Sequence, residues 1–348
     1  MKILFSFIIF LLCFFSCSNI PRERNDKRQT ADMEKLGYVW MMPKKETFTE
    51  FMTNLDQWPQ TLKIIDILGY ADHRLHKDHS EAELRDGFAV MNMINLPLAL
   101  EVGAVKEWAA AGAGTFYAQR GMWNDFINWG ASISGIVLDE PLVNVMNYPD
   151  IYKPVAGNTN EQLFQYAVKE TAEFIKLVRE DYPDWFIADI EAFPFFSADY
   201  IIHWIDVLET KLKAINVRGQ DFFRLDVDWN AFPGKRLTWT QGWLEVKRIE
   251  DHCRKIGLPF SVVYWGADIP GSQNLINDPA SWFTSTMKMG QGYFDAKGKP
   301  DQYVIQTWVE VDINGVKEGL PLKTLPETDP ESFTYTLVEF NKRFIPEK

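Results

Sequence analysis

One pattern recurs along the chain from residue 37 onward, and it restricts the fold more than any other feature. An apolar, β-rich run is followed by a polar turn, then by a segment with apolar residues at spacings of three and four. The runs are "YVWMM" (38–42), "KIIDILGYA" (63–71), "LPLALEV" (96–102), "SGIVLDE" (134–140), "WFIADIEAF" (185–193), "FFRLDVDW" (222–229), "FSVVYWGA" (260–267) and "YVIQTWVE" (303–310). Between them lie helical stretches such as "NEQLFQYAVKETAEFIKLVRED". Eight strands alternating with helices predict an α/β chain folded as one (β/α)8 TIM barrel over residues 37–348. Near-continuous apolar runs suit strands covered on both faces. The competing arrangement is an open doubly wound sheet, but no glycine-rich fingerprint follows the first run. Helix punctuation agrees with the alternation. Gly257 and Gly219 read as C-terminal stops, and Asp278 and Asp329 as N-caps ahead of Pro279 and Pro330.

The first residues carry a different signal. "MKILFSFIIFLLCFFSCSN" has a basic start at Lys2 and an apolar run too short to span a membrane, as in a secretory leader. The run ends at Ser16-Cys17, which resembles the lipobox of bacterial lipoproteins and implies lipidation of Cys17. Residues 1–17 are then a lipoprotein signal peptide, and the polar residues 18–36 a flexible tether. The expected location is outside the inner membrane, lipid-anchored on a periplasmic or outer-membrane face. With Cys13 inside the leader and Cys17 acylated, Cys253 is left alone, which excludes a disulfide or a cysteine metal site. A net charge of −12 leaves no basic stripe for phosphates and argues against nucleic acid as a partner. No cofactor signature is present, and nothing fixes an oligomeric state.

A barrel carries its chemistry at the C-terminal ends of its strands. Those ends are rich in acids: Asp139 and Glu140 on the fourth strand, Asp189 and Glu191 on the fifth, Asp226 and Asp228 on the sixth. Asp268 follows the seventh, and Glu310 ends the eighth. Residues two apart share a face, so Asp189 pairs with Glu191 and Asp226 with Asp228, while Asp139 and Glu140 diverge. Trp40, Trp229, Trp265, Trp308 and Tyr264 fall at the same level, with Tyr70 nearby, in a chain holding 13 Trp. Carboxylates walled by aromatic rings suit a carbohydrate, whose hydroxyls donate to acids and whose C–H faces stack on rings. Crowded acids also raise the proton affinity of at least one member, which supplies the donor that glycosidic cleavage needs. Asp66, within "IIDIL", reads as a structural acid, and Arg224 as a partner for the acids. His73, His76 and His79 have the spacing of metal ligands, but their polar neighbours read as an exposed loop.

The run "LDEP" at the fourth strand end resembles the "NEP" turn of retaining clan-A glycoside hydrolases. That resemblance implies Glu140 as acid/base, with Asp139 standing where Asn is usual; the seventh strand offers no Glu. Over residues 130–345 the chain also resembles a set of bacterial glycosidase-like barrel proteins, through "DEPL" (139–142), "DIEAFP" (189–194), "LDVDW" (225–229), "QTW" (306–308) and "LPETDPESFT" (325–334). Both point to the acids of strands four, five and six. The expectation is a glycoside hydrolase acting on poly- or oligosaccharide, with Glu140 as general acid and Glu191 as partner carboxylate. Asp226 and Asp228 compete for the partner's role, and Asp139, Asp189, Asp268, Glu310 and the aromatic residues contact substrate. Two other readings compete: a glycan-binding barrel without catalysis, and a metal-dependent isomerase or lyase.

Overall fold

The computed structural model describes residues 36–266, 280–313 and 316–346. Cys17, Asp268 and Asp278 lie outside them. Eight strands close into a parallel barrel in chain order: β1 (Val39–Met42), β2 (Ile67–Ala71), β3 (Leu98–Val102), β4 (Ile133–Asp139), β5 (Phe186–Phe193), β6 (Phe222–Val227), β7 (Phe260–Tyr264) and β8 (Gln302–Gln306). β1 pairs with β8 to complete the circle. An outer helix follows each strand: Pro59–Ile64, Glu81–Met93, Gly112–Asn128, Asn160–Asp181, Ala198–Ala214, Trp239–Ile256, Ala280–Asp295 and Phe333–Phe344. Shorter helices interrupt the loops at the mouth, among them Asp72–Asp78 and Pro141–Asn147. This is the (β/α)8 TIM barrel expected from the alternation.

The strand ends are shorter than the apolar runs. "KIIDILGYA" divides between the end of the helix Pro59–Ile64 and β2, and "YVIQTWVE" stops at Gln306. Glu310 therefore does not end β8. It opens a hairpin strand, Glu310–Ile313, that pairs with Val316–Gly319. Gly257 takes the left-handed conformation (φ 77°) expected of a helix stop. Gly219 does not cap its helix, which ends at Ala214. Nor does Asp329 cap the last helix; Ser332 does, accepting from the Tyr335 N–H. The histidine segment is the helix Asp72–Asp78 rather than a loop.

The lumen is packed with side chains. Trp40 lies 5.4 Å from the Phe186 ring and 5.7 Å from that of Phe222. The Arg224 guanidinium stacks over Trp40 at 4.0 Å, and its Nε donates to Ser261 Oγ at 3.0 Å. On β4, Gly135 faces Phe186 so closely that an added Cβ would come within 2.3 Å of the ring. Phe186, Phe222 and Arg224 thus fix which residues of β5 and β6 point inward.

At the opposite end one device repeats. An aspartate just before an even-numbered strand clamps one residue of the preceding strand through two bonds. Asp66 N donates to the Val39 carbonyl at 2.8 Å, and Asp66 Oδ2 accepts from Val39 N at 2.9 Å. Asp221 holds Ile187 in the same way (2.8 and 2.8 Å), and Asp301 holds Phe260 (2.7 and 2.9 Å). Asp66, read as structural, also accepts from Tyr38 N at 2.8 Å. Glu327, within "LPETDP", is 5% exposed and accepts from the N–H groups of Gln60 and Thr61, tying the C-terminal segment to the first outer helix. The three aspartates hold strands together and lie away from the mouth. Asp66→Ala is expected to lower unfolding free energy by about 2–3 kcal/mol, since charged hydrogen bonds are lost. Urea titration checks this, and an unchanged midpoint contradicts it.

Candidate active site

The period of two along each strand sorts the acids of the mouth into two sets. On β4, Asp139 shares the inward face of Gly135; on β6, Asp226 shares that of Phe222 and Arg224. On β3, Glu101 faces the lumen, where its Oε2 accepts from Gln306 Nε2 of β8 at 3.0 Å. Asp139 Oδ2 pairs at 2.7 Å with Lys106 Nζ, from the loop after β3. Glu140 follows Asp139 in the left-handed conformation (φ 48°, ψ 56°), at the junction of β4 and the helix Pro141–Asn147. A non-glycine residue held there costs about 1–3 kcal/mol and persists only where its surroundings enforce it. Its N–H donates to the Ile190 carbonyl of β5 at 3.1 Å.

Asp189 and Glu191 have the opposite parity to Phe186, so they face the outer helices. Both are fully buried. Asp189 Oδ2 accepts from Trp204 Nε1 of the helix Ala198–Ala214 at 2.6 Å. Glu191 accepts from Leu142 N (2.7 Å) and Val143 N (3.1 Å), the first free donors of the helix Pro141–Asn147. They share a face as expected, but that face is not the mouth's. Asp228 lies one residue past the end of β6 at Val227; its carboxylate accepts from Asn230 N at 3.2 Å in the following turn, and its charge adds to the rise of Asp226.

The aromatic residues divide likewise. Trp40 is the lumen floor beneath Arg224, fully buried. Tyr264 packs outward against Phe340 at 4.6 Å. Trp265 is buried and lies 4.5 Å from Trp308, which is 44% exposed. Trp229 is half-buried against Trp239. A cavity of about 630 Å³ opens between the ends of β1, β2, β3 and β8, with Tyr70, Arg74, Glu101, Gln306, Trp308 and Glu310 in its wall. Two shielded polar atoms at the ends of β6 and β8 have no hydrogen-bond partner among the described residues, the Trp229 indole nitrogen and Gln306 Oε1, while the Trp265 indole lies beside Asp226.

The histidines are dispersed. His76 stacks on Trp129, His79 Nδ1 lies 3.1 Å from Thr49 Oγ1, and His73 is exposed. Among the described residues no three His, Cys, Asp or Glu side chains are grouped to hold a metal ion.

Charge crowding shapes the mouth. Burial pushes Glu140 up to about 7; the charge of Asp139 and that of Glu101 add to this, and Lys106 opposes it. Burial and Asp139 push Glu101 to about 7 as well, against the Gln306 hydrogen bond, Arg224 and Lys106. Asp226 rises well above the usual carboxylate range, through burial first and then the charge of Glu140, while the nearby Trp265 indole opposes. Burial brings Arg224 down to about 9, with Glu101 opposing. Burial also weakens Lys106 as a cation, but Asp139 and its neighbours outweigh this and leave it more basic than usual. Neither Glu101 nor Lys106 is among the residues expected from the sequence. Glu101 was findable there as a lone acid near the end of "LPLALEV".

No family model matches the chain, and no curated protein matches it. Among solved structures it is similar to an intracellular xylanase of Thermoanaerobacterium saccharolyticum, in a mutant complex with xylotriose. The two are 10% identical over 79% of this chain and 86% of that one, with a TM-score of 0.47. A psychrophilic family 10 endo-β-1,4-xylanase gives 10% identity, 79% and 87% coverage and a TM-score of 0.43. QR15, an aldolase, gives 10%, 78%, 90% and 0.41. The three include two xylanases and an aldolase, and at this level of similarity none bears on the reaction.

A carboxyl with raised proton affinity stabilises the fold fully below its unfolded value and loses that contribution as pH rises to its folded value. For Glu101 the window runs from the ordinary 4.5 to about 7. Glu101→Gln should therefore flatten the fall in unfolding free energy across that window. Urea titrations at stepped pH check this, and a slope equal to that of the parent chain contradicts it.

Proposed function

We propose that the protein is a glycoside hydrolase, with Glu140 as proton donor and Asp226, across the mouth on β6, as the partner carboxylate. The observation that carries this reading is the placement of Glu140: it stands at the end of β4 in the left-handed conformation, beside the Asp139–Lys106 pair, where burial pushes it up to about 7. Two interacting acids titrate as a pair, so over a wide pH range one holds a proton while the other is ionised. Hydrolysis of a glycosidic bond needs that division of states. The protonated Glu140 gives its proton to the leaving oxygen as the C–O bond breaks. Asp226, which burial and the Glu140 charge hold protonated above the usual carboxylate range, acts once it has given up that proton, attacking the anomeric carbon or taking a proton from the water that does.

The remaining groups fit roles around a sugar. Asp139, tied to Lys106, offers a carboxylate to a hydroxyl. The exposed ring of Trp308, backed by Trp265, offers an apolar face to sugar C–H groups. Gln306 Oε1 and the indole N–H of Trp229 are the kind of shielded polar atoms that ligand hydroxyls satisfy.

Reducing-end release from a panel of neutral polysaccharides, xylan among them, tests the proposal. Glu140→Gln and Asp226→Asn are each expected to cost about 10²–10⁴-fold in kcat. Saccharide binding without turnover, unaffected by either substitution, would instead establish a glycan-binding barrel.

A further inference from the structure

The sequence singled out Glu191 as a catalytic carboxylate, yet its side chain never reaches the mouth. Its place in the fold points to another task. The helix Pro141–Asn147 begins at Glu140, its N-cap residue. An N-cap side chain ordinarily accepts from the second or third backbone N–H of its helix. Glu140 makes no such bond. Those two donors, Leu142 N and Val143 N, are taken by the two oxygens of Glu191, one each. Pro141 has no N–H to satisfy. The capping duty has thus passed to the adjacent strand, and the Glu140 carboxylate is released to face Asp139, Lys106 and Glu101.

β5 grips the same junction a second time, through the Ile190 carbonyl, which accepts from Glu140 N at 3.1 Å. Successive residues of one strand therefore hold both the backbone of Glu140 and the helix that follows it. Asp189, two residues earlier on the same face as Glu191, is fully buried and accepts from Trp204 Nε1.

We infer that Glu191 is a positioning residue, which caps the helix Pro141–Asn147 in place of Glu140 and so holds the Glu140 carboxylate in the mouth. The role assigned to Glu140 rests on the glycosidase reading, but the geometry being tested does not.

Two readouts on the full chain separate the two claims. The first needs no substrate: carboxyl ¹³C NMR follows the titration of Glu140, assigned by its loss in Glu140→Gln. In Glu191→Gln, which keeps the shape but leaves one of the two N–H groups facing an NH₂, Glu140 should titrate below about 7 and toward the ordinary 4.5 as its burial is relaxed. The second readout is kinetic, on whichever polysaccharide the parent chain cleaves. There Glu191→Gln should lower kcat by about 10–100-fold with KM little changed, as for a displaced catalytic group. Glu191→Asp, which keeps the carboxyl group on a shorter arm, should recover part of both effects. If Glu191→Gln does not fold, Val143→Pro removes one donor from the same contact, and proline is tolerated in a first turn. An unchanged Glu140 titration in the folded variant overturns the inference. Absence of any hydrolysis by the parent chain, with the titration shift present, counts against the glycosidase reading alone.

Discussion

Gly135 lies flat against Phe186, and that contact sets the direction of every side chain further along β4 and β5. With Phe186 inside the barrel, a period of two sends Asp139 into the mouth and turns Asp189 and Glu191 toward the helices. One residue of slip would exchange the two sets. A Cβ at position 135 would meet both the Phe186 ring and its carbonyl oxygen, at 2.3 and 2.4 Å. The glycine therefore works as a register pin several residues below the site it serves. It opens the stretch "GIVLDEP", whose last acid becomes the proposed proton donor.

The second constraint is charge. Four acids, Glu101, Asp139, Glu140 and Asp226, come from three strands and converge above the packed lumen. Among the described residues two cations answer them: Lys106 bonds to Asp139 at the side, and Arg224 lies beneath on the face of Trp40. Burial disfavours the charged forms, and two cations do not neutralise four carboxylates, so Glu101 and Glu140 hold protons up to about 7. A mouth of this kind stores protons at neutral pH, which is the property that acid catalysis on a neutral substrate requires.

Much of this was legible in the sequence, for identifiable reasons. The alternation of apolar runs with helical spacing is local, and it led directly to the barrel. Its strand ends placed Asp139, Glu140 and Asp226 at the mouth. The phase of each strand was not legible, because it depends on contacts between strands such as Gly135 with Phe186. Glu191 and Tyr264 were accordingly expected on the wrong side of their strands. Trp40 was expected at the mouth because "YVWMM" gives no sign that the ring lies under a buried arginine. Glu101 escaped notice as a single acid in an apolar run. Lys106 could not be linked to Asp139 without the loop that brings them to 2.7 Å. The "LPETDP" segment carried weight as a family signature, whereas its Glu327 caps the first outer helix and closes the fold.

The central claim is that protons, held by burial and by crowding around Asp139, make the mouth an acid at neutral pH. Carboxyl ¹³C NMR of the parent chain and of Asp139→Asn tests it most directly. Two glutamate carboxyls, Glu101 and Glu140, are predicted to titrate at about 7, and both should move down toward 4.5 when the Asp139 charge is removed. Titration of both at the ordinary glutamate value in the parent chain, or indifference to Asp139→Asn, would contradict the account.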